Sequence, residues 1–498
     1  SDDNATPARN PRGGGGSPGV YLLACSAAVS GFLFGFDTGV ISSMLVSVHR
    51  DLSSRELTTF DKSLITAITS LLALASAPFT GYLADRYGRL VVIGIADALF
   101  IVGALIQAFA GSVALMIAGR ASVGAAIGLA STASPLYIAE IAPAKIRGRL
   151  VTIQSLCITG GQVTAYLAGW VLTRLPNGWR WLVGLGAGPA AIQLFLLAFM
   201  AESPRWLVQT NQIHRARLVL ETTYSDRNSG SESLVSCLLA RICNELSEQK
   251  RISPTVSVWG RVTSTPHSRR ALIIACGLQA LQQLCGFNSL MYFSATIFQL
   301  VGFRSPIATS VIVAATNFLF TVLAFSYIDR IGRRKILLLS MPVMVFGLLI
   351  SACAFAMLDL HDAGKSAVHA PETKPAWSMT LLGSLVLYVA AYAVGLGCVP
   401  WQQSELFPFQ SRSLGSGFAT ATNWASNFLV GLSFLPMLEL VGASTTFVTY
   451  AVFCGTGWCV IWAIYPETAG LELERVGELL TVGWQVQESV DRFHNRNK

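Results

Sequence analysis

The sequence predicts an all-α membrane protein of twelve transmembrane helices arranged as two six-helix bundles. Three observations carry this expectation. Of the 498 residues, 52% are hydrophobic and only 12% charged, about half the charged share of an ordinary soluble domain. The apolar residues gather in runs such as Leu90 to Met116 and Leu182 to Met200, long enough to cross a bilayer. Several short charged motifs also occur once in each half of the chain.

Taken in order, the spans fall at 20–46, 62–84, 90–110, 112–137, 150–173, 181–200, 271–300, 307–328, 336–358, 379–403, 415–438 and 445–465. Residues 1–18 are polar and glycine-rich and contain no apolar signal core, so they read as a disordered cytoplasmic tail, with the missing initiator Met pointing to a trimmed start. An N-terminal bundle is expected over 19–203, a linker over 204–270, a C-terminal bundle over 271–467 and a C-terminal tail over 468–498. Within the linker, charged and apolar residues alternate at helical spacing around His214 to Tyr224 and Leu234 to Leu246. Short cytoplasmic helices or a solvated linker both fit that pattern.

Orientation follows from the basic residues. Arg86 and Arg89 follow the second span, Lys145, Arg147 and Arg149 the fourth, Arg330, Arg333, Arg334 and Lys335 the eighth, and Arg412 the tenth. Lys and Arg accumulate in short cytoplasmic loops, so the even-numbered loops and both termini are placed in the cytoplasm. The net charge of +8 is dispersed among these loops rather than collected on one face, which argues against a nucleic-acid partner. Ten scattered Cys residues show no metal-ligand spacing and no disulfide framework. No metal or organic cofactor is expected.

The internal repeat has a measurable phase. Asp85-Arg86-x-Gly88-Arg89 is echoed by Asp329-Arg330-x-Gly332-Arg333 at an offset of 244 residues, whereas Glu140 with Arg147, and Glu202, are echoed by Glu405 with Arg412, and Glu467, at 265. The loop from Leu358 to Trp377 is the natural place for the extra residues. Gly35-Phe36-Asp37 is echoed by Gly286-Phe287-Asn288. Two bundles in parallel repeat place a ligand site at their interface near the bilayer midplane.

Polar residues inside the spans mark that site. Asp37 and Arg120 lie within apolar spans, where an isolated charge costs about 2.5–3.5 kcal/mol or more. Their opposite signs make them a natural pair: either a switch released by protonating Asp37, or a permanent pair that fixes helix packing. Asp97 is a second intramembrane acid with no evident partner, facing an aqueous crevice or serving in coupling. Gln279, Gln282 and Gln283 share one helical face, and a break near Gly286 would bring Asn288 to them. Such amides suit a polyhydroxylated ligand, since each offers two donors and an acceptor. Interhelical hydrogen bonding is the competing use of the same groups. Tyr392, Trp401 and Trp424 add aromatic faces that fit a ligand, a packed core or an interfacial belt. Asn423 and Asn427 share a face, and Gly119, Gly124 and Gly128 read as close helix packing. The opposite charges at the cytoplasmic helix ends suit a latch between the bundles.

With these motifs in view, the chain resembles the sugar porter family of the major facilitator superfamily over nearly its whole length. The resemblance rests on Asp85-Arg86-x-Gly88-Arg89, Glu140 with Arg147-Gly148, Glu202-Ser203-Pro204-Arg205, Gln282-Gln283-x-x-Gly286-x-Asn288, Asp329-Arg330-x-Gly332-Arg333-Arg334, Pro400-Trp401, Glu405 with Arg412, and Pro466-Glu467-Thr468. It implies sugar contacts at Gln162, Gln282, Gln283, Asn288, Asn317, Trp401 and Asn423, to which the amide and aromatic reading adds Gln279 and Tyr392. It implies a proton-coupling pair at Asp37 and Arg120; facilitators of the family tend to carry an uncharged residue at the Asp37 position. The charged residues of these motifs at the cytoplasmic helix ends are the expected cytoplasmic gate: Asp85, Arg86, Arg89, Glu140, Arg147, Glu202, Asp329, Arg330, Arg333, Arg334, Glu405, Arg412 and Glu467.

Within the family, Gly35 to Ser42 and Val399 to Leu406 resemble fungal myo-inositol/proton symporters. Gly395-Leu396-Gly397-Cys398 departs from the Gly-Pro-Gly-Pro of hexose facilitators, Leu90 from the usual second Arg of its loop, and Ala469 from the usual Pro-Glu-Thr-Lys-Gly. The expectation is therefore a secondary active transporter, working as a monomer in the plasma membrane, that carries a small uncharged polyol with a proton. A vacuolar or other internal membrane is the alternative location. Alternative functions are a hexose or pentose symporter or facilitator, and a non-transporting nutrient sensor, which long signalling tails would favour. A membrane enzyme is disfavoured because all six His residues fall outside the spans.

Overall fold

The computed structural model describes residues 18–53, 55–142, 147–224, 231–252, 265–358, 375–397, 406–407, 412–468, 479–481 and 483–496. Eighteen helices run through these residues, with no strand among them. The first half comprises α1 (Pro18–Ser47), α2 (Thr59–Tyr87), α3 (Arg89–Ala108), α4 (Val113–Ile141), α5 (Arg147–Leu172), α6 (Gly178–Leu185) and α7 (Ala187–Leu197). Between the halves lie α8 (Pro204–Gln209), α9 (Ile213–Tyr224) and α10 (Ser231–Ile252). The second half comprises α11 (Pro266–Leu284), α12 (Phe287–Leu300), α13 (Pro306–Ile331), α14 (Arg333–Met357), α15 (Pro375–Val394), α16 (Arg412–Leu440) and α17 (Ala443–Ile464), followed by α18 (Val486–Arg496).

Local chemistry sets several of the starts. Thr58 and Asp61 form a reciprocal capping box on α2, and Ser112 caps α4 through the Leu115 amide. Thr265 caps α11, where Pro266 occupies a first-turn position whose missing N–H costs nothing.

Among the described residues these helices make twelve membrane-length units, because α6–α7 and α11–α12 each make one crossing in two pieces. Ten of the twelve are apolar enough to span on hydropathy alone. The other two, α5 and α16, have 26 and 29 residues and are diluted by polar side chains such as Gln154, Thr159 and Gln162 on α5, and Thr422, Asn423 and Asn427 on α16. Both face the opposite half: α5 packs on α13, and α16 on α2. Their polarity is therefore interior polarity.

Inside the first half, α1 packs on α5, while α2 and α3 pack on α4; in the second, α14 packs on α15 and α17, and α11 on α16. Side chains such as Phe79, Phe195, Phe199, Leu339, Phe346 and Trp462 are exposed around the periphery. So much outward apolar surface on one chain is a lipid-facing belt.

The helices between the halves cluster through Leu207, Val208 and Ala216 with Trp206, Leu239, Ile242 and Leu246. This is the apolar stripe that the linker's periodicity implied.

Candidate functional site

The crossing expected to break does so at Gly286. Its φ of 87° is left-handed, a conformation open to glycine at little cost, and it separates α11 from α12. The Gly286 amide still donates to the Gln283 carbonyl at 2.9 Å. The kink turns Asn288 back onto α11, where its Nδ2 donates to Gln283 Oε1 at 2.6 Å.

Around that contact the amides join into a network. Asn423 Nδ2 donates to Gln279 Oε1 at 2.6 Å and to Gln282 Oε1 at 2.9 Å, and Gln282 Nε2 donates to the Leu396 carbonyl at 2.8 Å. Asn427 Nδ2 donates to Gln283 Oε1 at 3.2 Å, while Asn427 Oδ1 accepts from Ser70 Oγ of α2 at 2.8 Å and from the Tyr292 hydroxyl at 3.4 Å. Across the halves, Asn317 Nδ2 of α13 donates to Gln162 Oε1 of α5 at 2.9 Å. Tyr392 stacks on Phe287, ring centroids 3.7 Å apart, beside the break. Each such side chain can trade a neighbouring amide for a ligand hydroxyl without leaving a buried donor unmet.

The ionic part lies in the first half. Arg120 is 1% exposed and Asp37 7% exposed, and the Arg120 guanidinium bonds the Asp37 carboxylate directly. Arg120 Nε also donates to the Ile65 carbonyl of α2 at 3.3 Å. One turn further along α2, Thr69 Oγ1 donates to the Arg120 carbonyl at 3.4 Å, and its neighbour Ser70 holds Asn427. Thus α2 physically joins the ion pair to the amide network. Asp97 is 1% exposed and has one carboxylate oxygen without a hydrogen-bond partner.

At the basic end, two acids serve as helix caps. Glu202 accepts from the Arg89 and Leu90 amides, both at 3.1 Å, and Glu467 from the Arg333 and Arg334 amides at 3.0 and 3.1 Å. This is how a carboxylate neutralises a helix N-terminus. The glycine just before each helix, Gly88 or Gly332, has a φ near +100° (102° and 95°), and a Cβ there would meet the carboxylate at 2.4 or 2.5 Å. Arg89 bridges Asp85 and Glu140 at 3.1 and 2.9 Å. Arg334 donates to the carbonyls of Ile461, Trp462 and Tyr465. Arg86 reaches Tyr82 at 2.9 Å, and Arg330 is exposed. Each of these contacts stays inside one half, so they brace the bundles individually.

Trp401 and Glu405, and the side chains of Arg147, Asp329 and Arg412, lie outside the described residues. Trp424 packs edge-on against Phe34 of α1, centroids 5.5 Å apart, as a contact between halves. Nine cysteines among the described residues are free. Gly124 and Gly128 let α4 approach α2 so closely that a Cβ would strike Thr69 and Ala73 backbone. Sequence reasoning missed Ser70 and Tyr292 as partners of Asn427. The four-residue spacing of Asn288 and Tyr292, which puts them on one face, was the available signal.

Two helical bundles enclosing an amide network and a buried ion pair define a solute carrier, and the chain belongs to the sugar transporter family. The sequence model of that family, "Sugar (and other) transporter", matches residues 23–480. Over 480 residues the chain is 42% identical to myo-inositol transporter 1 of Saccharomyces cerevisiae, covering 95% of this chain and 81% of the relative. It is 34% identical to the human proton myo-inositol cotransporter, with 92% and 82% covered. Among solved structures, the E. coli xylose transporter XylE in a partially occluded inward-open conformation superimposes with a TM-score of 0.76 at 25% identity, covering 92% of this chain and 100% of that one.

Proposed function

We propose that this protein is a proton-coupled symporter of myo-inositol that works by alternating access. It resides in the plasma membrane, with both termini cytoplasmic. The observation that carries this reading is the run of contacts along α2: Ile65 and Thr69 hold Arg120, and Ser70 holds Asn427. A proton and a polyol then act on one helix. Protonating Asp37 removes the charge that anchors Arg120, which frees Arg120 from α1. A ligand that displaces the Asn427–Gln283–Asn288 bonds pulls on the same α2 segment from the other side. Neither event alone satisfies every buried group, and that requirement couples the two.

The cargo is read from chemistry and kinship together. Gln162, Gln279, Gln282, Gln283, Asn288, Asn317 and Asn423 are uncharged and bidentate, which suits vicinal hydroxyls. Tyr392, with Trp401, supplies an apolar face for a ring. Relatives named as myo-inositol transporters and as a proton myo-inositol cotransporter support the polyol and the proton.

Proteoliposomes test the proposal. An imposed inward pH gradient is expected to drive accumulation of labelled myo-inositol above its outside concentration. Asp37→Asn is expected to abolish that accumulation while sparing counterflow. Accumulation by Asp37→Asn equal to wild type would sink the coupling role. Counterflow favouring glucose or xylose over myo-inositol would move the cargo to a hexose or pentose.

A further inference from the structure

Asp97 sits on α3, outside both the amide network and the Asp37–Arg120 pair. Its carboxyl lines a void large enough for a single water molecule, together with Ser30 and Leu33 of α1, Ala96 and Phe100 of α3, and Ala126, Ile127 and Ala130 of α4. Among the described residues that line it, Asp97 is the only ionisable one. A second void of similar size is lined by Asp37 and, again, by Phe100. The Phe100 ring is the shared wall.

Among the described residues, no element packed on α3 brings Asp97 a free counter-charge. Helix α1 brings Ser30 and, two turns on, Asp37; α4 brings Arg120, already bound to Asp37. Helix α7 brings Gln193, which is uncharged and bonded to Ser30 and to the Ser26 and Ala27 carbonyls. Helices α2 and α6 bring no lining residue, and Arg89 and Arg180 are held at opposite ends of α3 by other partners. Among the described residues Asp97 has no ion pair, and Asp97 Oδ2 has no hydrogen-bond partner. An unpaired carboxylate at membrane depth costs several kcal/mol, so the neutral acid is the form that fits this site.

We propose that Asp97, with Ser30 and the void they share, is a second proton-binding site that exchanges its proton with Asp37 across the Phe100 ring. This rests on the proton-coupled reading above. In the exchange the Asp97 O–H bond breaks toward a water in the void. That water takes the proton and passes another of its own, past the edge of the Phe100 ring, to a water in the second void, which in turn gives one of its protons to the Asp37 carboxylate. The products are a neutral Asp37, no longer ion-paired with Arg120, and an Asp97 that takes a replacement proton from solvent in the same open state, so that it does not persist as an unpaired carboxylate. Asp97 thereby sets how fast the coupling pair can be reset, without touching the cargo.

Asp97→Asn keeps the size and polarity of the neutral acid and removes the proton. In proteoliposomes of the full chain it is expected to leave myo-inositol counterflow near wild type and to slow pH-driven net uptake several-fold. Asp97→Glu should restore part of that loss. Wild-type rates in both assays for Asp97→Asn would overturn the inference and make Asp97 a silent neutral acid. Equal loss of counterflow and net uptake would overturn it in favour of a packing role. If wild type itself showed no pH-driven accumulation, the proton-coupled reading would fall first.

Discussion

Gln283 is the residue on which the amide network converges, since its one carbonyl oxygen accepts from both Asn288 and Asn427. Removing it leaves two buried amide donors to fend for themselves, in a region where each uncharged hydrogen bond is worth about 1 kcal/mol net. Gln283→Ala is therefore expected to raise the myo-inositol KM about tenfold. Because Gln283 carries no proton, the pH dependence of uptake should stay as in wild type. A shift of that pH dependence along with KM would show that the network and the ion pair are not separable. At this scale most of the site was legible in the sequence: the three glutamines share a face by spacing alone, and opposite charges in apolar spans demand each other. Ser70 and Tyr292 were not, because a lone hydroxyl on a helix satisfies its own backbone as readily as a distant amide. Only the crossing of α2 over α16 decides between the two.

At the scale of single elements, the start of α3 depends on Glu202. Burial pushes the Glu202 carboxyl above the ordinary carboxylate range, against the opposing pull of the Ser203, Leu90 and Arg89 amides and the Arg89 guanidinium. A carboxyl raised in the folded state binds its proton more tightly there than in the unfolded chain, so stability falls as pH rises through the window. The contribution is fully present below the unfolded value of about 4.3 and lost above the raised one. The thermal midpoint of the detergent-solubilised wild type is expected to decline across that window relative to Glu202→Gln, which cannot titrate. Parallel curves for the two proteins would rule out the linkage.

The break between α11 and α12 makes a second demand on one element. At Gly286 a Cβ would lie 2.8 Å from the Tyr450 ring and would have to accept φ of 87°. The left-handed backbone alone costs about 1–2 kcal/mol for an alanine. Gly286→Ala is thus expected to lower the thermal midpoint and to weaken myo-inositol binding as Asn288 swings from Gln283. Intact affinity in Gly286→Ala would mean that the break does not hold the amides. The break itself was legible, since Asn288 lies off the face of Gln279, Gln282 and Gln283 in an unbroken helix and a break at Gly286 brings it to them. The polar character of α5 and α16 was harder to place, because hydropathy averages over a helix and cannot say which face is inward.

For the whole molecule, transport by rocking requires that contacts between the halves open and close. Ser42 of α1 and Ser294 of α12 meet with their hydroxyls 3.1 Å apart, and Ser42 Oγ also accepts from the Ala295 amide at 3.1 Å. Tyr166 of α5 reaches the same point, donating to the Met291 carbonyl and lying 2.9 Å from Ser294 Oγ. This cluster joins the two halves on the side of the amide network away from the basic loops. In a background stripped of native cysteines, Ser42→Cys with Ser294→Cys is expected to cross-link on mild oxidation. The cross-link should stop both net uptake and counterflow of myo-inositol, and reduction should restore them. Neither single-cysteine protein should respond to the oxidant. Undiminished transport with the cross-link complete would show that α1 and α12 stay together throughout the cycle. The moving boundary would then have to lie at α2–α16 and α5–α13, where Ser70 meets Asn427 and Gln162 meets Asn317.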